Sequence, residues 1–252
     1  LKKRYMQGNE VLDTSAYWRK LLKIDADSNK NAIKKFDSNL KIFRSFFHKI
    51  ISSFLNYCCQ PKNFGIQNLP DPPFILASNH LSVLDFPLIF FGLPNHLRKK
   101  IVAIYKFKYH KNLFTRFFIK IFCPSIPVNM KEKPWEALSM AVDVLKSGGI
   151  VYIAPEGTRN KNKEILPYKP GVGAIAVETK IPVIPIHIKN SEKILPRGSI
   201  LPKKHNVEIF WGIPIKFEDL FEKKKVSPAY EVYKEAAESI KNSIKNLEGI
   251  YK

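Results

Sequence analysis

The chain has 252 residues, 45% of them apolar and 12% aromatic. This excludes a disulfide-dependent mini-fold and a disordered chain, and it suffices for one large core or two small ones. With 42 basic against 22 acidic residues the formal charge is +20, which draws a protein toward nucleic acid, anionic lipid or phosphorylated substrates, or simply keeps a lysine-rich surface solvated.

Residues 1 to 62 read as a basic helical segment. Leu40, Phe43, Phe47, Ile50, Ile51, Phe54 and Leu55 recur at helical spacing with Lys41, Arg44, His48 and Lys49 between them, predicting a helix over 40–56. Such a helix either lies in a membrane interface or packs its aromatic face on the core. Gln60-Pro61-Lys62-Asn63 breaks the pattern, and Asn68 to Pro73 forms a turn. Strands are then expected at Phe74–Ala77, Ile101–Tyr105, Ser125–Val128, Ile150–Ala154, Ile181–Ile188 and Val207–Trp211. Between and after them, helices are expected at Leu84–Leu93, Asn112–Phe122, Pro134–Lys146, Gly171–Thr179 and Pro228–Leu247. The third of these carries Trp135, Leu138, Val142 and Leu145 on one stripe and stops at Gly148-Gly149. The alternation predicts an α/β domain over 63–252, a largely parallel sheet flanked by helices, behind the N-terminal helical segment.

The longest run free of Asp, Glu, Lys and Arg, Pro72 to Leu84, is shorter than the roughly 20 residues of a membrane-crossing helix, so no spanning segment is expected. No compact apolar block follows the basic start, so no secretory signal is expected either. Cys58, Cys59 and Cys123 lack metal-site spacing; they read as core or surface thiols in a reducing, cytoplasmic setting, with no metal implied.

Ser78-Asn79-His80-Leu81-Ser82-Val83-Leu84-Asp85 follows the first expected strand, where open α/β sheets place their crevices. With Asp85 in the first helical turn, its carboxylate can meet one ring nitrogen of His80 and leave the other as an acceptor. A histidine general base needs that arrangement. Ser82 to Asp85 equally reads as a capping box serving only the helix N-terminus. The other histidines lack such a partner.

Pro155-Glu156-Gly157-Thr158-Arg159 follows the strand at Ile150. Gly157 permits close backbone approach, Thr158 offers a hydroxyl, and Arg159 presents a planar fork suited to phosphate. Only seven of the 42 basic residues are arginines, which singles this one out. The plainer reading is a surface turn with an exposed Glu156–Arg159 ion pair. Lys106, after the second strand, is a further candidate anion contact.

Together these elements resemble the glycerophospholipid acyltransferase family, whose best-known member is lysophosphatidate acyltransferase. The resemblance rests on Asn79 to Asp85, Pro155 to Arg159 and Ile181-Pro182-Val183-Ile184-Pro185-Ile186, with Pro167 to Gly173 similar to the family's Phe-Lys-x-Gly segment. It implies transfer of a fatty acyl group from acyl-CoA or acyl carrier protein to a lysophospholipid hydroxyl, notably that of 1-acylglycerol-3-phosphate, without metal or cofactor. It makes His80 the base and Asp85 its orienter. Glu156, Gly157, Thr158 and Arg159 then hold the glycerol-phosphate, with Asn79, Ser82 and Lys106 as further candidate contacts. An anionic membrane surface, reached from the cytoplasm as a peripheral protein on its inner face, completes the implied partners. One departure stands out: family members carry an arginine shortly after a Pro-Val pair, whereas Pro127-Val128 here precedes Asn129-Met130-Lys131, which leaves the headgroup open. Leu93-Pro94 with Arg98, and Val172-Gly173 before Ala176, also resemble acyltransferase domains fused to acyl-activating ligases.

Other readings remain. The same base acting on water makes a thioester or ester hydrolase, and a structural His80–Asp85 pair makes a non-catalytic lipid-binding protein. A nucleic-acid module fits the charge, but the sequence carries no recognised fingerprint for one, so no specific nucleic acid is expected.

Overall fold

The computed structural model describes residues 15–26, 41–106, 124–128, 134–160, 165–196, 199 and 201–251. Seven strands are present among them: β1 (Lys62–Phe64), β2 (Phe74–Ser78), β3 (Ile101–Lys106), β4 (Ser125–Val128), β5 (Ile150–Ile153), β6 (Val183–Lys189) and β7 (Glu208–Trp211). They form one sheet in the order β1-β7-β6-β2-β5-β3-β4. Every neighbouring pair is parallel except β6 with β7.

The described helices are α1 (Ser15–Leu21), α2 (Lys41–Cys59), α3 (Asp85–Gly92), α4 (Asn95–Arg98), α5 (Pro134–Lys146), α6 (Gly171–Thr179), α7 (Ser191–Ile194), α8 (Glu218–Lys223) and α9 (Ala229–Ile250). The expected helix over Asn112–Phe122 lies outside the described residues, as do Cys123 and Lys131.

Parallel pairing demands crossovers, and the crossovers cover both faces. All five residues of β2 are buried, and the strand's two-residue period divides them between two cores. Ile75 and Ala77 join Val102, Val151 and Val183 under α5, α6 and α9. Phe74 and Leu76 join Ile150, Tyr152, Ile184 and Ile186 under α2, α3 and α7. A sheet coated on both faces reads as continuous apolar runs rather than alternation, which is the pattern of Ile150 to Ile153.

The N-terminal helices contribute to both cores. On the first face, Trp18 of α1 meets Trp135 and Tyr233 edge-on, with centroids 5.3 and 5.4 Å apart. On the second, Leu55, Cys58 and Cys59 of α2 are buried, and burial pushes the Cys59 thiol up to about 12. The other flank of α2 faces outward, with Phe46, Ile50, Phe54 and Tyr57 exposed. One flank of α2 therefore packs on the core.

Two contacts fix α9. It crosses α6 so closely that a methyl group at Gly173 would stand 2.0 Å from the Tyr233 carbonyl oxygen. Beside this crossing Glu178 is buried, accepting from Lys224 Nζ at 2.5 Å and from the Tyr233 hydroxyl, with Arg19 at 3.4 Å. Burial pushes the Lys224 ammonium below its usual pKa despite this partner.

Candidate active site

β2, β5 and β6 are adjacent and parallel, so their carboxyl ends open onto one edge of the sheet. The segments leaving them are His80 to Asp85, Ala154 to Asn160 and Asn190-Ser191. The chain brings these three together although they are far apart in sequence.

His80 Nδ1 lies 2.9 Å from Asp85 Oδ2, with the imidazole 27% exposed and the carboxylate fully buried. The same Oδ2 accepts the backbone N–H groups of Leu81 at 2.7 Å and Ser82 at 2.8 Å. Oδ1 accepts the Ser191 hydroxyl at 2.5 Å. With two amides and a hydroxyl already donating into the carboxylate, Nδ1 is the donor to Asp85 and Nε2 keeps its lone pair. Ser82 N bonds back to Asp85 as the expected capping box would have it, but α3 begins at Asp85 with Leu84 as its N-cap, and Ser82 Oγ accepts from Leu84 N at 3.3 Å. The loop before α3 and the histidine thus share one carboxylate oxygen and do not compete.

The backbone of His80 is clamped as well. Its N–H donates to Glu156 Oε1 at 2.8 Å, and its carbonyl accepts from Asn160 N at 2.7 Å. Glu156 Oε2 accepts from Leu166 N at 3.2 Å. Glu156 is 4% exposed, and burial pushes its pKa up against the two amides, which pull it down. Gly157 turns the chain at φ +65, a left-handed geometry that favours glycine. Thr158 is exposed and Arg159 half-exposed, with no partner for the guanidinium among the described residues.

A family model described as Acyltransferase matches residues 62–189, just over half of the chain. The chain belongs to the acyltransferase family. It is 31% identical over 170 residues to a chloroplastic 1-acyl-sn-glycerol-3-phosphate acyltransferase of Brassica napus, covering 65% of this chain and 47% of that one. Its counterpart in Arabidopsis thaliana is 30% identical over 187 residues, covering 71% and 51%. The chain therefore spans about half the length of these curated relatives. Among solved structures, the 1-acyl-sn-glycerophosphate acyltransferase of Thermotoga maritima superimposes with a TM-score of 0.59 over 95% of this chain and 90% of that one, at 20% identity. At that identity the likeness concerns the fold.

Within this family member, three residues expected to touch substrate are placed otherwise. Asn79 is 2% exposed, and both ends of its amide bond the Ile188 backbone, at 2.8 Å each; it ties β2 to β6 instead of facing the crevice. Ser82, also 2% exposed, turns its hydroxyl to the backbone amide of Leu84. Glu156 faces backbone amides, which also removes the exposed Glu156–Arg159 pair as a reading. Lys106 ends β3 opposite Val128 of β4, at the same edge of the sheet. Ser191 was not foreseen: it stands 106 positions after Asp85, and no local pattern links the two.

Proposed function

We propose that this acyltransferase-family chain moves a fatty acyl group from acyl-CoA or acyl carrier protein to the free hydroxyl of 1-acylglycerol-3-phosphate. The observation that carries the reading is the half-exposed His80 ring bonded through Nδ1 to a buried, fully hydrogen-bonded Asp85. Nε2 accepts the hydroxyl proton as the alcohol oxygen attacks the thioester carbonyl. The tetrahedral adduct collapses, the carbon–sulfur bond breaks, and the leaving thiolate takes the proton back from the imidazolium. The products are the ester and the free thiol, and the histidine is restored. Asp85 holds the ring and offsets the transient positive charge.

Arg159, and Thr158 beside it, are the groups available for the acceptor's phosphate, since Glu156 is occupied in holding His80. The relatives, named as 1-acyl-sn-glycerol-3-phosphate acyltransferases, support this choice of acceptor. The exposed face of α2, with Phe46 and Tyr57 63% and 67% exposed, together with the +20 charge, supports a peripheral seat on an anionic membrane, approached from the cytoplasm. Among the described residues no helix is long and apolar enough to cross a bilayer.

The test is an acceptor screen against one long-chain acyl-CoA, read by mass spectrometry, for wild type and His80→Ala. Acylated 1-acylglycerol-3-phosphate from the wild type alone supports the reading. Free fatty acid released regardless of acceptor makes the chain a hydrolase, and turnover retained by His80→Ala removes the base.

A further inference from the structure

The turn after β5 carries a cation that the motif reading left without a task. Lys169 is stitched to this turn by its own amide, which donates to the Pro155 carbonyl at 3.1 Å. From there its side chain runs back across Gly157. A methyl group on Gly157 would meet Lys169 Nζ at 2.8 Å, Cε at 3.0 Å and Cδ at 3.4 Å. The lysine's outer atoms therefore fill the space in which a side chain at 157 would stand. The glycine serves the passage of that lysine as well as its own positive φ.

The lysine is half-buried, and burial pushes its ammonium below the usual pKa. The adjacent carboxylate, Glu156, already accepts the backbone amides of His80 and Leu166. Among the described residues the ammonium has no acidic or hydrogen-bonding partner. Lys224, whose charge burial also disfavours, is compensated by Glu178 at 2.5 Å. A partly desolvated cation without a counter-ion costs stability. Lys169 bears that cost with its ammonium beside Gly157, two residues before Arg159, whose guanidinium has no partner among the described residues.

Resting on the acyl-transfer reading above, we propose that Lys169 is a specificity residue whose ammonium, led across Gly157, binds the phosphate monoester of the acceptor together with Arg159. Two cations match a doubly charged phosphate, and the lysine supplies the charge that no arginine shortly after Pro127-Val128 provides. The acyl-CoA donor also carries phosphate, so the assignment to the acceptor is the point to be tested.

The experiment compares wild type, Lys169→Met and Lys169→Arg as full chains. KM and kcat are measured for 1-oleoylglycerol 3-phosphate, for phosphate-free 1-oleoylglycerol and for oleoyl-CoA. Losing one charge-assisted contact is expected to raise the KM of the phosphorylated acceptor about 10- to 100-fold in Lys169→Met. The other two substrates should stay within about twofold, and Lys169→Arg should recover part of the loss. In wild type the acceptor KM should rise with pH as the ammonium deprotonates, earlier than for a free lysine; in Lys169→Arg that rise should vanish. An unchanged acceptor KM in folded Lys169→Met overturns the proposal. So does a rise in the oleoyl-CoA KM alone, which would assign the ammonium to the donor, or an equal loss on both acceptors, which would make the lysine structural. If wild type shows no His80-dependent transfer, the acyl-transfer reading is at fault. Calorimetry with sn-glycerol 3-phosphate then still decides whether Lys169→Met weakens phosphate binding by that factor, and equal binding overturns the lysine's role.

Discussion

Asp85→Asn isolates charge from geometry at the proposed base. The asparagine oxygen can occupy the Oδ2 position and accept from His80 Nδ1, Leu81 N and Ser82 N, while its amide donates to Ser191 Oγ. The ring then keeps its place and loses only the negative charge beside it. For charge centres about 4 Å apart at an effective dielectric near 20, that charge stabilises the imidazolium by about 4 kcal/mol. At about 1.4 kcal/mol per decade, kcat should fall roughly 10³-fold with the acceptor KM little changed. Thiol release from acyl-CoA, followed with a chromogenic thiol reagent, measures this directly. The double variant His80→Ala/Asp85→Asn should be no slower than His80→Ala, because the carboxylate acts through the ring. A loss under about tenfold in Asp85→Asn, or additive losses in the double variant, would refute the reasoning and leave Asp85 a brace for the loop before α3.

Further outcomes follow from neighbouring contacts. Ser191→Ala leaves Asp85 Oδ1 buried without its donor; thermal denaturation should show a loss of about 1–3 kcal/mol, and kcat should fall more than KM rises. Gly173→Ala forces α9 away from α6 and should cost about 1–3 kcal/mol in urea unfolding, with a larger effect than Gly249→Ala, where a methyl group meets nothing within 4 Å. Glu156 has a raised pKa in the fold, so its contribution is fully present below the unfolded carboxylate range and is lost as pH rises through the raised value. The wild-type Tm measured against that of Glu156→Gln should accordingly fall across that window, and a rise would reverse the sign. Phe46→Ser with Tyr57→Ser removes two exposed rings from α2; co-sedimentation with anionic vesicles should drop about 10- to 100-fold, while turnover of a short-chain, water-soluble donor and acceptor persists.

Most of the sheet was legible in the sequence because its strands are local, apolar and bounded by breakers. The bounds of α5 and α6 coincide with Pro134–Lys146 and Gly171–Thr179, where a first-turn proline, a glycine stop and a short apolar run mark the ends. β1 was not legible. Lys62-Asn63-Phe64 is a three-residue edge strand, largely exposed, whose only reason to be extended is β7, paired with it from Glu208 onward. The pair His80 and Asp85 could be read from a four-residue gap, since a carboxylate in the first helical turn folds back onto the residue before it. The duty of Glu156 could not, because its partners are backbone amides that any residue would offer. Ser191 and Lys169 were equally hidden. One reaches Asp85 only through the register of β2 with β6, and the other reaches Gly157 only because the chain doubles back before α6.

The clamp on the His80 backbone couples two tasks mechanically. Its amide and its carbonyl are both held by the segment that also carries Gly157, Thr158 and Arg159, so the backbone of His80 and the turn proposed to bind phosphate move together. A cargo that seats badly on the turn would tilt the ring, making discrimination visible in turnover as well as in occupancy.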